Sequence, residues 1–167
     1  PFLLSAFDPL RHYTGTYRAY RVENGGGNTW FPISPDLTDG LIFGNTFHTI
    51  SAIDESPKDS NILYAGTSDG NVWVSTDFGS NWNNISQTLP DRYVTSVIAS
   101  PTDSSAAFVA HSGYKYNEFF PHIHKSSDYG ASWTDISGNL PPLAINDICA
   151  YPTDDDILFV ATDGGVY

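Results

Sequence analysis

The chain repeats itself. Residues 75 to 86 read STDFGSNWNNIS and residues 126 to 137 read SSDYGASWTDIS, fifty-one residues apart and agreeing at Ser, Asp, Gly, Trp, Ile and Ser. Trp30, Trp82 and Trp133 are 52 and 51 residues apart. Ahead of each stands a turn containing proline: FDPLRHYTGTY at 7, SPKDSNILYAG at 56 and SPTDSSAAFVA at 100. A fourth turn, YPTDDDILFVA, begins at 151. Self-similarity at a fixed period constrains a chain more than any local pattern, because each unit must bury its apolar face against the next.

Each unit holds four short runs that read as strands. In the second unit they are HTISAI, ILYAGT, NVWVS and NWNNIS, separated by Pro, Asp, Gly and Asn and filled with β-branched and aromatic residues. No window keeps the three-and-four apolar spacing of a helix. Composition agrees: aromatics make up 14% of the chain, and 14 Gly and 11 Pro suit tight turns. Four strands at a period of about 40 to 50 residues describe a β-propeller blade. The expected fold is all-β, with blade one over about residues 1–44, blade two 45–89, blade three 90–141 and half a blade over 142–167. A ring takes at least about four blades, so the chain is expected to form part of a larger propeller; its opening, PFLLSAFDPL, has neither Met nor a basic-then-apolar signal, so the true N-terminus is expected elsewhere.

The pattern Ser-x-Asp-x-Gly-x-x-Trp resembles the Asp-box, the repeat signature of sialidase-like, sortilin-like and xyloglucanase-like propellers. Ser75, Asp77, Gly79 and Trp82 match it, as do Ser126, Asp128, Gly130 and Trp133. RVENGGGNTW, at 21–30, fits if one extra glycine is allowed and Asn24 takes the Asp place. A short carboxylate can accept N–H groups within its own turn, glycine permits positive φ, and the indole buries its ring while its N–H seeks a partner. Asp77 and Asp128 are therefore expected to staple turns. The resemblance implies the same, since in those families the boxes lie away from the active site. It also implies a secreted, extracellular protein of the kind found in large bacterial arrays.

Function in a repeat fold sits where the copies differ. From turn proline to box tryptophan is 21 residues in blade one, 25 in blade two and 32 in blade three, so blade three carries seven extra residues, in GYKYNEFFP at 113–121. From tryptophan to the next turn proline is 27, 19 and 19 residues, which puts eight extra in SPDLTDGLIFGNTF at 34–47. Connections between antiparallel strands alternate between faces, so both insertions are expected opposite the boxes. The blade-three insert offers Tyr114, Tyr116, Phe119 and Phe120 beside Lys115 and Glu118. These rings suit a sugar's C–H surface or a partner's apolar anchor, or they fold back and cap the blade.

Other candidates are thinner. Glycoside hydrolysis needs two carboxyls roughly 5–5.5 Å or 6.5–9.5 Å apart; the loop-rich face offers Asp36, Asp39, Asp91, Glu118 and Asp147. A sialidase-like site needs an arginine cluster, and only Arg92 is expected near the centre of that face. His111, His122 and His124 could converge on one hairpin to hold zinc, but alignment of the blades puts His124 in the place of Tyr20, Trp73 and Tyr167, a packing position. TDDDI at 153–157 reads as a solvated turn. No metal or other cofactor is expected.

The net charge of −12, with seven Lys and Arg, disfavours nucleic acid and anionic membranes. The lone Cys149 allows no internal disulfide, and no apolar run reaches the roughly 20 residues of a membrane span. The expected role is an extracellular binding or scaffolding module whose partners are a glycan or a protein and the remaining blades of the same propeller. The alternatives are a glycoside hydrolase with paired aspartates and a sortilin-like peptide receptor.

Overall fold

The computed structural model describes residues 1–25, 29–42 and 46–167. Blade one is β1 (Phe2–Leu4), β2 (His12–Gly15), β3 (Ala19–Val22) and β4 (Phe31–Pro32). A small hairpin follows, β5 (Leu41–Ile42) paired with β6 (Thr46–Phe47), within the longer connector. Blade two comprises β7 (Ile50–Glu55), β8 (Leu63–Thr67), β9 (Val72–Ser75) and β10 (Asn83–Asn84). Blade three comprises β11 (Tyr93–Ala99), β12 (Ala107–Ser112), β13 (His122–Ser126) and β14 (Thr134–Asp135). A three-stranded sheet, β15 (Ile145–Tyr151), β16 (Asp154–Thr162) and β17 (Gly165–Val166), comes last. Every sheet is antiparallel, with its strands in chain order.

The core lies between blades rather than within one. Tyr13, Leu37, Ile50 and Leu63 form an apolar layer between blades one and two. Tyr64, Val94, Val97 and Val109 do so between blades two and three, and Phe108, Ile123, Ile145 and Val160 between blade three and the last sheet. The second strands of blades two and three are therefore covered on both sides: every residue of β8 and β12 is buried. Burial of an aliphatic or aromatic side chain of this kind stabilises by roughly 1.5–3 kcal/mol.

The two boxes are stapled alike. The Ser75 hydroxyl receives the Gly79 N–H at 2.8 Å, and Asp77 receives the Asn81 N–H at 2.8 Å and the Asn81 amide at 2.6 Å. In the second copy, Ser126 receives the Gly130 N–H at 2.8 Å, and Asp128 the N–H and hydroxyl of Ser132 at 2.8 and 2.6 Å. Those bonds hold both aspartates below the usual carboxylate range. The indole N–H of Trp82 donates to the Ile33 carbonyl and that of Trp133 to the Ile85 carbonyl, both at 2.8 Å. Each box is thus a joint to the blade before it. In the first repeat Gly25 donates to the Leu10 carbonyl, as Phe78 does to Asn61 and Tyr129 to Ser105, and all three have positive φ. That places Asn24 in the Asp position and Val22, which has no hydroxyl, in the Ser position. Residues 26–28 of this copy lie outside the described residues.

One expectation fails. Asp154, Asp155 and Asp156 do not form a solvated turn, because β16 starts at Asp154, paired with Tyr151. Asp155 accepts the Ser100 hydroxyl at 2.6 Å, tying the last sheet to blade three.

Candidate functional site

Both insertions meet the face away from the boxes. The insert of blade three begins with a single 3-10 turn, Tyr114–Tyr116, closed by Asn117 at φ 56°. None of the residues of that turn is buried. Tyr114, Tyr116 and Phe120 are 65%, 64% and 66% exposed and Phe119 is 40% exposed, so the rings do not cap the blade. Tyr114 meets Phe119 edge-on at 6.1 Å.

An exchange of cations joins the insert to Arg92 and Tyr93, where the connector enters β11. Arg92 lies 4.7 Å from the Tyr116 ring centre, and Lys115 lies 4.9 Å from that of Tyr93. Glu118 receives Arg92 Nε at 3.3 Å, His122 Nε2 at 3.0 Å and the Phe120 N–H at 2.9 Å. Burial pushes the Glu118 carboxyl up, but these partners outweigh it and hold the group below its ordinary value.

Beside the insert opens a cleft of about 410 Å³, between blade three and the last sheet. Its aromatic lining is Tyr93 and Tyr114, and its polar lining Thr95, Ser112, Lys115, Asn146 and Asp163. Asn146 donates its side-chain amide to Asp163 at 2.9 Å. Thr95 and Asn146 reach the cleft through a repeated irregularity. The first strand of a blade slips register near its start: between Val94 and Ser96 in β11, between Ile145 and Asp147 in β15, and between Ile50 and Ala52 in β7. The skipped residues are Thr95, Asn146 and Ser51. A bulge of this kind re-aims a side chain, and here it delivers polar groups to one face. Sequence reasoning missed these residues, because a one-residue slip leaves no local signature.

Two of the candidate carboxylates, Asp39 and Asp91, meet at the turn between β8 and β9, where Asp91 Oδ1 would lie 3.1 Å from a side-chain carbon on Gly70; Asp36 and Asp147 stand elsewhere. Asp36 accepts the N–H and hydroxyl of Thr38 at 2.9 and 2.8 Å. It lines a separate cleft of about 300 Å³ with Tyr17, Phe47 and His48. Asp39 accepts the Asn71 amide at 3.1 Å, and its own N–H donates to Asp69 at 2.6 Å. Asp91 is exposed beside Arg92, and Asp147 is exposed on β15, accepting the Ile148 N–H at 2.9 Å. Among the described residues, no two of these four share a hydrogen-bond donor.

The three histidines lie on one face of the β12–β13 hairpin, with His111 opposite His122 in register. His111 is fully buried and His124 nearly so, their rings edge-on at 6.1 Å, while His122 turns to Glu118. Neither ring nitrogen of His111 has a partner. Burial, then the charges of His124 and His122, push its pKa down to about 3. Among the described residues no group of three His, Cys, Asp or Glu side chains is placed to hold a metal ion. None of the helices there is long and apolar enough to cross a membrane.

A buried carboxylate also escaped the sequence. Glu55, at the end of β7, accepts the hydroxyls of Ser5 and Tyr13 at 2.6 and 2.7 Å and the Ala6 N–H at 3.0 Å, with Arg11 at 3.8 Å. Its partners lie more than 40 residues away in blade one, so no local pattern marks it. It joins blades and lies at the proline-turn end of β7.

No family model matches the chain. The GH74 xyloglucanase from Xanthomonas campestris shares its fold, with a TM-score of 0.66 and 15% identity over 99% of this chain and 28% of that one. A structure of YCF48 bound to D1 peptide aligns with a TM-score of 0.51 and 16% identity over 75% of this chain and 36% of that one. Sortilin of Danio rerio is 42% identical over 43 residues, 26% of this chain and 5% of sortilin. The chain spans about a third or less of the length of each. Sheets of four, four, four and three strands give the chain the fold of a partial β-propeller with two stapled box turns, similar in fold to the GH74 xyloglucanase and to YCF48.

Proposed function

We propose that the chain belongs to an extracellular binding module that holds a neutral glycan on its loop-rich face. The observation that carries this reading is the cleft of about 410 Å³ walled by Tyr93 and Tyr114 and edged by Thr95, Ser112, Asn146 and Asp163. Aromatic faces take the C–H surface of a sugar ring, while hydroxyl, amide and carboxylate groups exchange hydrogen bonds with its hydroxyls. A net charge of −12 disfavours polyanionic sugars, so the ligand is neutral. Binding is favoured over hydrolysis because none of the candidate aspartates, Asp36, Asp39, Asp91 and Asp147, lines the cleft.

A second reading has its own support. Ycf48, of like fold, binds a peptide, and an aromatic cleft with polar edges also suits a peptide partner. Calorimetric titration with cellotetraose, a xyloglucan oligosaccharide and a panel of short peptides separates the two. Saturable binding of a neutral oligosaccharide without release of reducing ends is the expected result. Reducing ends released would instead make the protein a glycoside hydrolase, and saturation by peptides alone would overturn the glycan reading.

A further inference from the structure

We infer that Glu118 is the positioning residue of this cleft: it fixes the insert so that Tyr114 and Lys115 stand as a ready-made wall. The inference rests on the cleft being the binding site. Glu118 does not line the cleft itself, so it acts through others.

Apart from Glu118 and Arg92, the insert is held by the Tyr114 N–H on the Ser112 hydroxyl at 3.3 Å and by Lys115 over Tyr93. The residues of its 3-10 turn are all unburied. Its own backbone bonds, Tyr116 and Glu118 to the Gly113 carbonyl and Asn117 to that of Tyr114, close the turn upon itself without tying it to a blade. The Glu118 carboxylate makes the tie that gathers the most segments. It receives Arg92 from the connector before β11, His122 from the start of β13 and the Phe120 N–H from the insert. It also folds back over the start of the loop, where a side-chain carbon on Gly113 would collide with it. Three segments thus converge on one carboxylate.

The link to the cleft runs through Arg92. Bound to Glu118, Arg92 lies over Tyr116, while Lys115 reaches over Tyr93 on the cleft wall. Releasing Arg92 frees Tyr116, and with it the Lys115–Tyr114 stretch. A wall ordered before the ligand arrives spares the entropy of ordering it on binding. Fully exposed ion pairs contribute little, but Glu118 is only 21% exposed and Arg92 32%, and the carboxylate gathers three donors rather than one.

The test compares the wild-type protein with Glu118→Ala, Glu118→Gln and Gly113→Ala. The last keeps the carboxylate but crowds it, together with the Glu118 backbone carbonyl. Amide hydrogen exchange over 113–121 reads the positioning without any ligand, with β12 and β13 as the internal control for folding. Cellotetraose titration reads the consequence. Exchange across the insert should rise about tenfold in Glu118→Ala and Gly113→Ala with β12 and β13 unchanged. Affinity should fall about fivefold to tenfold, with Glu118→Gln between Ala and wild type. Unchanged exchange in Glu118→Ala would overturn the inference, as would an affinity loss with no rise in exchange, which would mean that Glu118 touches the sugar directly. Faster exchange in the variants of a protein that binds no cellotetraose would uphold the positioning role and remove the glycan reading instead.

Discussion

Thr95 and Asn146 occupy the same step of successive sheets, each skipped by the strand register and each turned into one cleft. The Thr95 hydroxyl leans on the Ala110 carbonyl at 3.2 Å, whereas Asn146 braces Asp163 at 2.9 Å. Asn146 is exposed. Asn146→Ala should therefore leave the melting temperature unchanged within a degree or two, yet weaken cellotetraose binding by about tenfold, roughly 1.4 kcal/mol. An unchanged dissociation constant would remove Asn146 from the site.

The aromatic insert gives a second expectation. Replacing Tyr114, Tyr116 and Phe119 together with Ala should weaken binding by at least about tenfold. Because these rings are largely exposed, the melting temperature should move by no more than a few degrees. A large fall in melting temperature with unchanged affinity in the folded fraction would show that the rings serve the fold.

The box turn should behave oppositely. Gly130 has φ +85° and faces Ile85 of the preceding blade, so Gly130→Ala should destabilise by at least about 1–2 kcal/mol through backbone strain alone. Asp128→Ala should lower the melting temperature by losing the Ser132 and Ser126 bonds. Neither change should alter oligosaccharide affinity in folded protein. Loss of affinity at full folding in Asp128→Ala would mean that a binding residue had been mistaken for a staple.

Acid should separate the buried groups by sign. His111 is neutral in the fold, with a pKa of about 3 against an ordinary 6.5, so the unfolded chain takes up its proton first. Its contribution is fully present above about pH 6.5 and declines as pH falls toward 3, by at most about 1.4 kcal/mol per pH unit. Asp54 runs the other way. Burial raises its carboxyl to about 6, against bonds from the N–H groups of Ala99 and Glu55, so its contribution is greatest at low pH and is lost as pH rises through 6. Urea unfolding of wild type and His111→Leu at pH 7, 5.5 and 4.5 isolates the first effect. The gap between the two proteins should shift steadily in favour of the variant as pH falls. A gap independent of pH would mean that His111 takes up its proton alike in both states.

The repeat was legible because its staples are local. Ser75, Asp77 and Gly79 bond within five residues of one another, so the turn is written in one stretch of sequence. The two insertions were legible as differences in spacing, but whether the rings of the insert faced solvent or capped the blade was not, since the sequence fits both. What joins distant segments was not. Glu55 finds Tyr13 and Ser5 across a blade boundary, Leu37 is buried within a connector and gives its carbonyl to the Trp73 indole, and the bulges at Thr95 and Asn146 depend on the partner strand. The aspartates at 154–156 look like a turn because Pro152 precedes them, yet the turn needs only Pro152 and Thr153, and pairing resumes at once.

The reach of Trp82 to Ile33 and of Trp133 to Ile85 has a direction. In both cases the acceptor carbonyl lies nearly fifty residues upstream of the indole that seeks it. Because chains are made from the N-terminus and domains tend to settle in that order, every acceptor leaves the ribosome before its tryptophan. A nascent blade therefore emerges onto a neighbour already waiting for it. Cutting the chain from the front would strand an indole, while cutting it from behind would leave only a carbonyl free to bond water.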